Sequence, residues 1–257
     1  VVEAVRRLLL KDFSKERLLK GGLRIHTTID LELQKAGEAA LTAALAEENR
    51  LQDEQGATSE PIEGALAVLR PSDGAVLAMV GGSGFDFQNQ LDRTLTHRPM
   101  GSSVKPFVWA AAFESGRFKP GDEIEDAPVT FKVGNARQWS PHNYGDKYYG
   151  RVTLELALQK SLNSVAIKLL QQEGLDSVID LLARATGLPT AAFPRNLSLA
   201  LGTCDVSVLG LARAYAIFIN GGRPIEPYYI RYIEDRSATL LRDDRQRSAP
   251  AAPVLKS

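Results

Sequence analysis

Residues 99–107 read Pro99-Met100-Gly101-Ser102-Ser103-Val104-Lys105-Pro106-Phe107, and they hold an S-x-x-K tetrad with Ser102 and Lys105 three residues apart. On a helix that spacing puts both side chains on one face. Pro106 has no N–H to donate and is tolerated only near a helix start, so the helix is expected to begin at or just before Ser102. The serine then lies at the positive end of the helix dipole. A serine hydroxyl becomes a nucleophile when a neighbouring base takes its proton, and a carbonyl under attack needs donors where negative charge develops. Lys105 is the candidate base and the helix-mouth N–H groups are part of a candidate oxyanion hole. A lysine must be neutral for this work, and bringing a pKa of about 10.4 to about 7 takes roughly 4 to 5 kcal/mol of bias, obtainable from burial and a nearby positive charge. Alone the tetrad is weak, because ordinary residue frequencies give about one chance match in a chain of this length. An exposed serine beside a solvated lysine remains the plain alternative.

Upstream, Leu23, Ile25, Thr27 and Ile29 alternate with Arg24, His26 and Thr28 at the period of a half-buried strand. Asp30 is placed to cap a helix that stripes Leu33, Gly37, Ala40, Leu41, Ala44 and Leu45 along one face and gives way to a polar loop over 47–60. Residues 65–70 and 75–80 form a hairpin signal around Pro71-Ser72-Asp73-Gly74. Downstream the pattern is mainly helical, with apolar segments near 103–115, 154–172, 175–186 and 206–219. Thr153 is placed as a cap and Gly174, Gly187 and Gly221 as stops. A strand is expected at 228–234, and a loop or frayed end at 243–257. Charged, leucine-rich residues 3–20 suggest short helical pieces of a linker.

The chain has 257 residues with 31 Lys and Arg against 31 Asp and Glu, so no basic face argues for nucleic acid as a partner. Cys204 is the only cysteine, which excludes an internal disulfide. The three histidines are scattered outside any H-E-x-x-H pattern, and neither a metal nor a cofactor is expected. No apolar run reaches the roughly 18 to 20 residues that span a bilayer. The start has no initiator Met and no signal-peptide pattern, so the chain reads as a piece of a longer one, with any anchor upstream.

The second chemical signal is Ser161-Leu162-Asn163, between two helical stretches. It either breaks one helix and caps the next, or brings a hydroxyl and an amide to Ser102, with Ser161 relaying a proton to a leaving amine and Asn163 holding a substrate amide.

S-x-x-K followed by an S-x-N motif resembles the penicillin-binding proteins and class A β-lactamases. The flanks narrow this to the transpeptidase domain of class A, bifunctional penicillin-binding proteins. They are Gly22 to Asp30, Gly64 to Val68 through Met79-Val80-Gly81-Gly82, Trp139-Ser140-Pro141-His142-Asn143-Tyr144, Gly150 to Leu154, Ala212 to Ala216 and Asn220-Gly221-Gly222, together covering residues 22 to about 235. The resemblance implies an α/β (α+β) transpeptidase fold, an antiparallel sheet covered by helices, with residues 1–22 as a linker from an upstream domain and 23–257 as the transpeptidase domain. It implies a D,D-transpeptidase acting on D-Ala-D-Ala stem peptides, donor and acceptor, and acylated by β-lactams. Ser102 is then the nucleophile, Lys105 the base, Ser161 and Asn163 the second motif, and Trp139 either a wall of the substrate cleft or an aromatic packed under a loop. It further implies an upstream glycosyltransferase domain, an anchor in the parent protein, and a place in the periplasm or on the outer face of the cytoplasmic membrane. No K-T-G or K-S-G string occurs, so the C-terminal strands bearing it are expected to be missing. The rivals are a β-lactamase, disfavoured by S-L-N in place of S-D-N, and a β-lactam-sensing receptor with a decayed cleft.

Overall fold

The computed structural model describes residues 1–56, 60–84, 91–133, 137–245 and 252–255. The chain forms two compact units, one of Val1–Thr96 with Ser207–Ala252 and one of His97–Val206 with Pro253–Ser257.

The first unit begins with helices α1 (Val2–Leu9) and α2 (Lys15–Lys20), the short helical pieces expected there. Strand β1 (Arg24–Thr27) follows, and then α3 (Leu31–Glu54). Asp30 caps α3 as its position suggested, its Oδ1 accepting from Glu32 N at 3.0 Å and Leu33 N at 3.1 Å. The helix continues where a loop was expected from residue 47. Polarity there is that of a solvated helix: Arg50 pairs with Glu47 at 2.7 Å and with Glu54, one turn to either side. Strands β2 (Leu66–Leu69) and β3 (Val76–Val80) form the expected antiparallel hairpin, in register Leu66↔Val80. Its turn needs Gly74, whose φ is +81° and whose Cβ, if it had one, would lie 2.4 Å from Glu226 O.

The second unit runs through β4 (Arg98–Pro99), a 3-10 turn at Gly101–Val104, and α4 (Lys105–Glu114). Next come β5 (Glu123–Asp126), β6 (Phe131–Val133), β7 (Arg137–Trp139) and β8 (Gly150–Thr153). Helices α5 (Leu154–Gln159), α6 (Asn163–Glu173) and α7 (Leu175–Thr186) precede the short strand β9 (Asp205–Val206). Phe107, Val108, Trp109 and Ala112 are all buried, so α4 is apolar around its circumference and packs against α6 and α7 as a central helix. The four strands between 123 and 153 were not expected in a helical stretch. They pair as β5 with β8 and β6 with β7, and the β5–β8 ladder joins segments too distant in sequence to leave a local turn signal. Thr153 caps α5 through Leu156 N at 3.2 Å, as expected.

The chain returns to the first unit with α8 (Val208–Tyr215), β10 (Ile230–Glu234) and β11 (Leu240–Asp243). The sheet order is β1-β10-β11, antiparallel throughout. The strand expected at 228–234 is β10, whereas β11 was not foreseen. Most of the tail read as a loop lies outside the described residues. Gly187 closes α7 in the left-handed region and Gly174 separates α6 from α7, but Gly221 follows a 3-10 turn at Ala216–Phe218 rather than ending α8.

Candidate active site

The turn that presents Ser102 is held by backbone on both sides. Arg98 and Pro99 pair with Val206 and Asp205, Met100 N donates to Cys204 O at 3.0 Å, and Gly101 N donates to Gly202 O at 3.2 Å. Gly202 has φ +73°, and a Cβ there would fall 2.1 Å from Gly101 O, so only glycine lets the two strands of backbone approach this closely. The 3-10 turn then carries Ser102 into α4, with Pro106 in its first turn, where no donor is needed. Ser102 lies at this helix start, as the position of Pro106 led one to expect, and it is exposed. The adjacent Ser103 hydroxyl is engaged instead, donating to Met100 O at 2.5 Å.

Lys105 is 1% exposed. Its Nζ donates to Ser161 O at 2.5 Å, Ser161 Oγ at 2.9 Å and Asn163 Oδ1 at 2.7 Å. The S-x-x-K lysine and the S-L-N motif therefore meet. Burial pushes the lysine down from 10.5 to about 8. Desolvation does this alone; the neighbouring positive charge expected to help is not among its three partners, which are all neutral oxygens. Ser161 has φ +54°, a left-handed conformation that a non-glycine residue adopts at a cost of about 1 kcal/mol or more. The strain turns its carbonyl and hydroxyl both onto Lys105.

Ser161-Leu162 does break the helix, between α5 and α6, but the motif does not cap α6. Its N-cap is Leu162, which has no side-chain cap. The cap comes from Asn143, whose Oδ1 accepts from Asn163 N at 2.8 Å and Ser164 N at 3.1 Å. Asp126, 1% exposed, accepts from Asn143 Nδ2 at 2.8 Å, Ser164 Oγ at 2.5 Å and Tyr149 N at 2.9 Å. Neither Asn143 nor Asp126 was assigned a role from the sequence. The only hint lay in the odd company of a buried helix start with an apolar N-cap, which demands a partner from elsewhere.

Trp139 ends β7, half-buried, with its ring centroid 5.6 Å from that of Phe131 across the β6–β7 pair. Among the described residues it makes no hydrogen bond or ring contact with Ser102, Lys105, Ser161 or Asn163. Residues 134–136 beside it lie outside the described part. No group of three or more His, Cys, Asp or Glu among the described residues is arranged to hold a metal ion. No described helix is long and apolar enough to cross a membrane.

Residues 64–255 match the family described as penicillin binding protein transpeptidase domain. Penicillin-binding protein 1A of Pseudomonas aeruginosa is 37% identical over 193 residues, covering 75% of this chain and 23% of its own length. The chain thus spans about a quarter of that curated relative. The crystal structure of penicillin-binding protein 1A from Haemophilus influenzae superposes with a TM-score of 0.84 at 24% identity, over 99% of this chain and 50% of that one. That of PonA1 from Mycobacterium tuberculosis in complex with penicillin V gives 0.74 at 26% identity, over 93% of this chain and 63% of that one.

Proposed function

From the premise that this chain belongs to the penicillin-binding protein transpeptidase domain family, as a homologue of the class A protein 1A, we propose that it is a serine D,D-transpeptidase of peptidoglycan and a covalent target of β-lactams. The observation that carries the reading is the buried Lys105 amine, lowered to about 8 and aimed at Ser161 Oγ and Asn163 Oδ1, three residues along the helix start from exposed Ser102.

In the proposed reaction, neutral Lys105 takes the Ser102 proton as Oγ bonds to the penultimate D-Ala carbonyl of a donor stem peptide. The carbonyl electrons move to oxygen, facing the first-turn N–H groups. The C–N bond then breaks, and the departing D-Ala amine takes a proton delivered through the Ser161 hydroxyl. An acceptor stem's amine attacks the resulting ester, gives its proton back by the same route and releases Ser102, leaving the cross-link. With a β-lactam the leaving amine stays tethered, which favours a persistent acyl-enzyme. Asn163 is occupied at both ends, by Lys105 and by His142 O at 2.7 Å, so its first task in this reading is to hold the lysine rather than a substrate amide. Trp139 as a substrate wall, an upstream glycosyltransferase domain, and anchorage at the outer face of the cytoplasmic membrane belong to the same proposal.

The test is labelling with a fluorescent penicillin followed by peptide mapping. The adduct is expected on Ser102 and is expected to vanish in Ser102→Ala. An adduct on Ser103 or Ser161, or full labelling of Ser102→Ala, overturns the assignment.

A further inference from the structure

Between the strands that interrupt the helical part of the second unit and the start of α6 runs a chain of hydrogen bonds ending on the Lys105 amine. Asp126, at the end of β5, takes three donors: Asn143 Nδ2, Ser164 Oγ and Tyr149 N. Asn143 Nδ2 also donates to Lys147 O at 2.9 Å. Both amide protons of Asn143 are thereby committed, and its Oδ1 can point only toward α6, where it takes the N–H groups of Asn163 and Ser164. The carbonyl of His142, the preceding residue, takes Asn163 Nδ2 at 2.7 Å. Asn163 is thus gripped by its backbone N–H and by its side-chain amine from two consecutive residues of one loop. The only orientation this leaves puts its Oδ1 on Lys105 Nζ at 2.7 Å.

We propose that Asn143, braced by Asp126, is a positioning residue for acyl transfer: it fixes the start of α6 so that Asn163 holds the Lys105 amine in line for the Ser102 hydroxyl. It touches neither substrate nor the reacting atoms, and acts through Asn163. The inference rests on the reading of Lys105 as the base.

Two substitutions separate positioning from mere stability. Asn143→Ala leaves two helix N–H groups and one acceptor position of Asp126 unfilled. Asn143→Asp keeps an acceptor for both helix N–H groups but sets a second carboxylate against Asp126. Like charges this close raise the affinity of the pair for a proton, and a proton taken up restores the missing donor. The other charged groups on the packed elements and their loop are Glu123, Glu125, His142, Asp146, Lys147, Arg151, Lys168 and Glu173, of which Glu123 pairs with Arg151 at 3.2 Å and Glu173 with Arg117 at 2.6 Å. Lys168 Nζ donates to Glu125 O at 2.6 Å, and His142 Nδ1 lies 3.0 Å from Asp146 Oδ1. These groups are the same in wild type and variant, so the ratio of the two rates at each pH cancels them.

The experiment is stopped-flow acylation of the full-length protein by a chromogenic β-lactam, with circular dichroism and thermal melting on the same samples. Asp30→Ala, which removes the cap of α3 in the first unit, supplies a destabilised control that takes no bond from the Asp126–Asn143–Asn163–Lys105 chain. For Asn143→Ala the acylation rate constant is expected to fall on the order of a hundredfold, with little change in non-covalent affinity and no such loss in the control. For Asn143→Asp the rate relative to wild type is expected to climb as pH falls from 8 to 5. If either variant folds and acylates at the wild-type rate at pH 8, or loses rate only in proportion to lost folded protein, or if the Asn143→Asp ratio stays flat from pH 8 to 5, the positioning inference is overturned. Lys105→Ala, run alongside, tests the premise: normal acylation there overturns the base reading itself, whatever Asn143 does.

Discussion

A lysine that titrates near 8 in the fold and near 10.5 in the unfolded chain binds fewer protons when folded. The penalty for burying it charged, about 3 kcal/mol, is therefore fully present below pH 8 and is relieved as pH rises from there toward 10.5. Stability here is traded against chemistry, because the same burial leaves about a tenth of the amine neutral at pH 7 and about nine-tenths at pH 9. Acylation of Ser102 is expected to rise roughly tenfold over that range, with a midpoint near 8. Arginine keeps the charge and cannot deprotonate near neutrality, so Lys105→Arg is expected to acylate as poorly as Lys105→Ala. A flat rate from pH 7 to 9, or near-normal acylation by the arginine variant, would reduce Lys105 to an electrostatic role. At this scale the place of Ser102 at a helix start and the pairing of Lys105 with the Ser161–Asn163 motif were legible, since helix spacing and a proline near the start constrain the first pair and the resemblance supplied the second. Asn143 and Asp126 were not, because an Asn and an Asp in a polar stretch look like loop residues until something apolar at a helix start requires a cap.

Elements were legible where their pattern is local. The alternation in 23–29, the Pro-Ser-Asp-Gly turn and the caps Asp30 and Thr153 all act within a few residues of themselves. The end of α3 was missed because charge was taken for loop, although Glu47, Arg50 and Glu54 stand at helix-pair spacing. Strands β4 and β9 were missed for another reason: each is two residues long and exists only through its partner. Yet that pair, with Met100 and Gly101 bonded to Cys204 and Gly202, holds the turn that presents Ser102. Gly202→Ala is therefore expected to damage acylation as heavily as a loss of the lysine. A methyl group 2.1 Å from Gly101 O, on a residue at φ +73°, must push the two backbones apart. Alanine at Gly56, where nothing lies within 4 Å and φ is +68°, carries the conformational strain without the collision. Comparing the two by penicillin labelling per folded molecule isolates the close approach, and equal labelling would mean that the turn does not depend on it.

At the scale of the whole molecule, the first unit is assembled from two stretches of chain, Val1–Thr96 and Ser207–Ala252, that are separated in sequence by His97–Val206 of the second unit. The sequence leads one to expect residues 1–22 as a linker from an upstream domain, with Leu8, Leu9, Leu18 and Leu19 among basic residues suggesting only short helical pieces. In the fold, Ala4, Val5 and Leu9 are buried in one cluster with Val76, Met79, Leu209, Ile230 and Ile233. Asp12 pairs with Arg242 at 2.9 Å, and Lys20 O accepts from Arg236 at 3.1 Å. Leu9 is 2% exposed and Leu19 73%, a distinction that two leucines in similar charged surroundings do not reveal in sequence. If α1 is part of the core, Leu9→Ala should cost about 2 to 5 kcal/mol, the usual range for emptying a buried leucine site. In a domain of this size each kcal/mol shifts melting by about 2 to 4 °C. Leu19→Ala should change melting by less than a degree or two, since it removes a side chain already in water. Melting of both variants followed by circular dichroism decides the matter, and wild-type melting in Leu9→Ala would mean that the leading segment is a tether and that the packing of α1 contributes nothing to the stability of the unit.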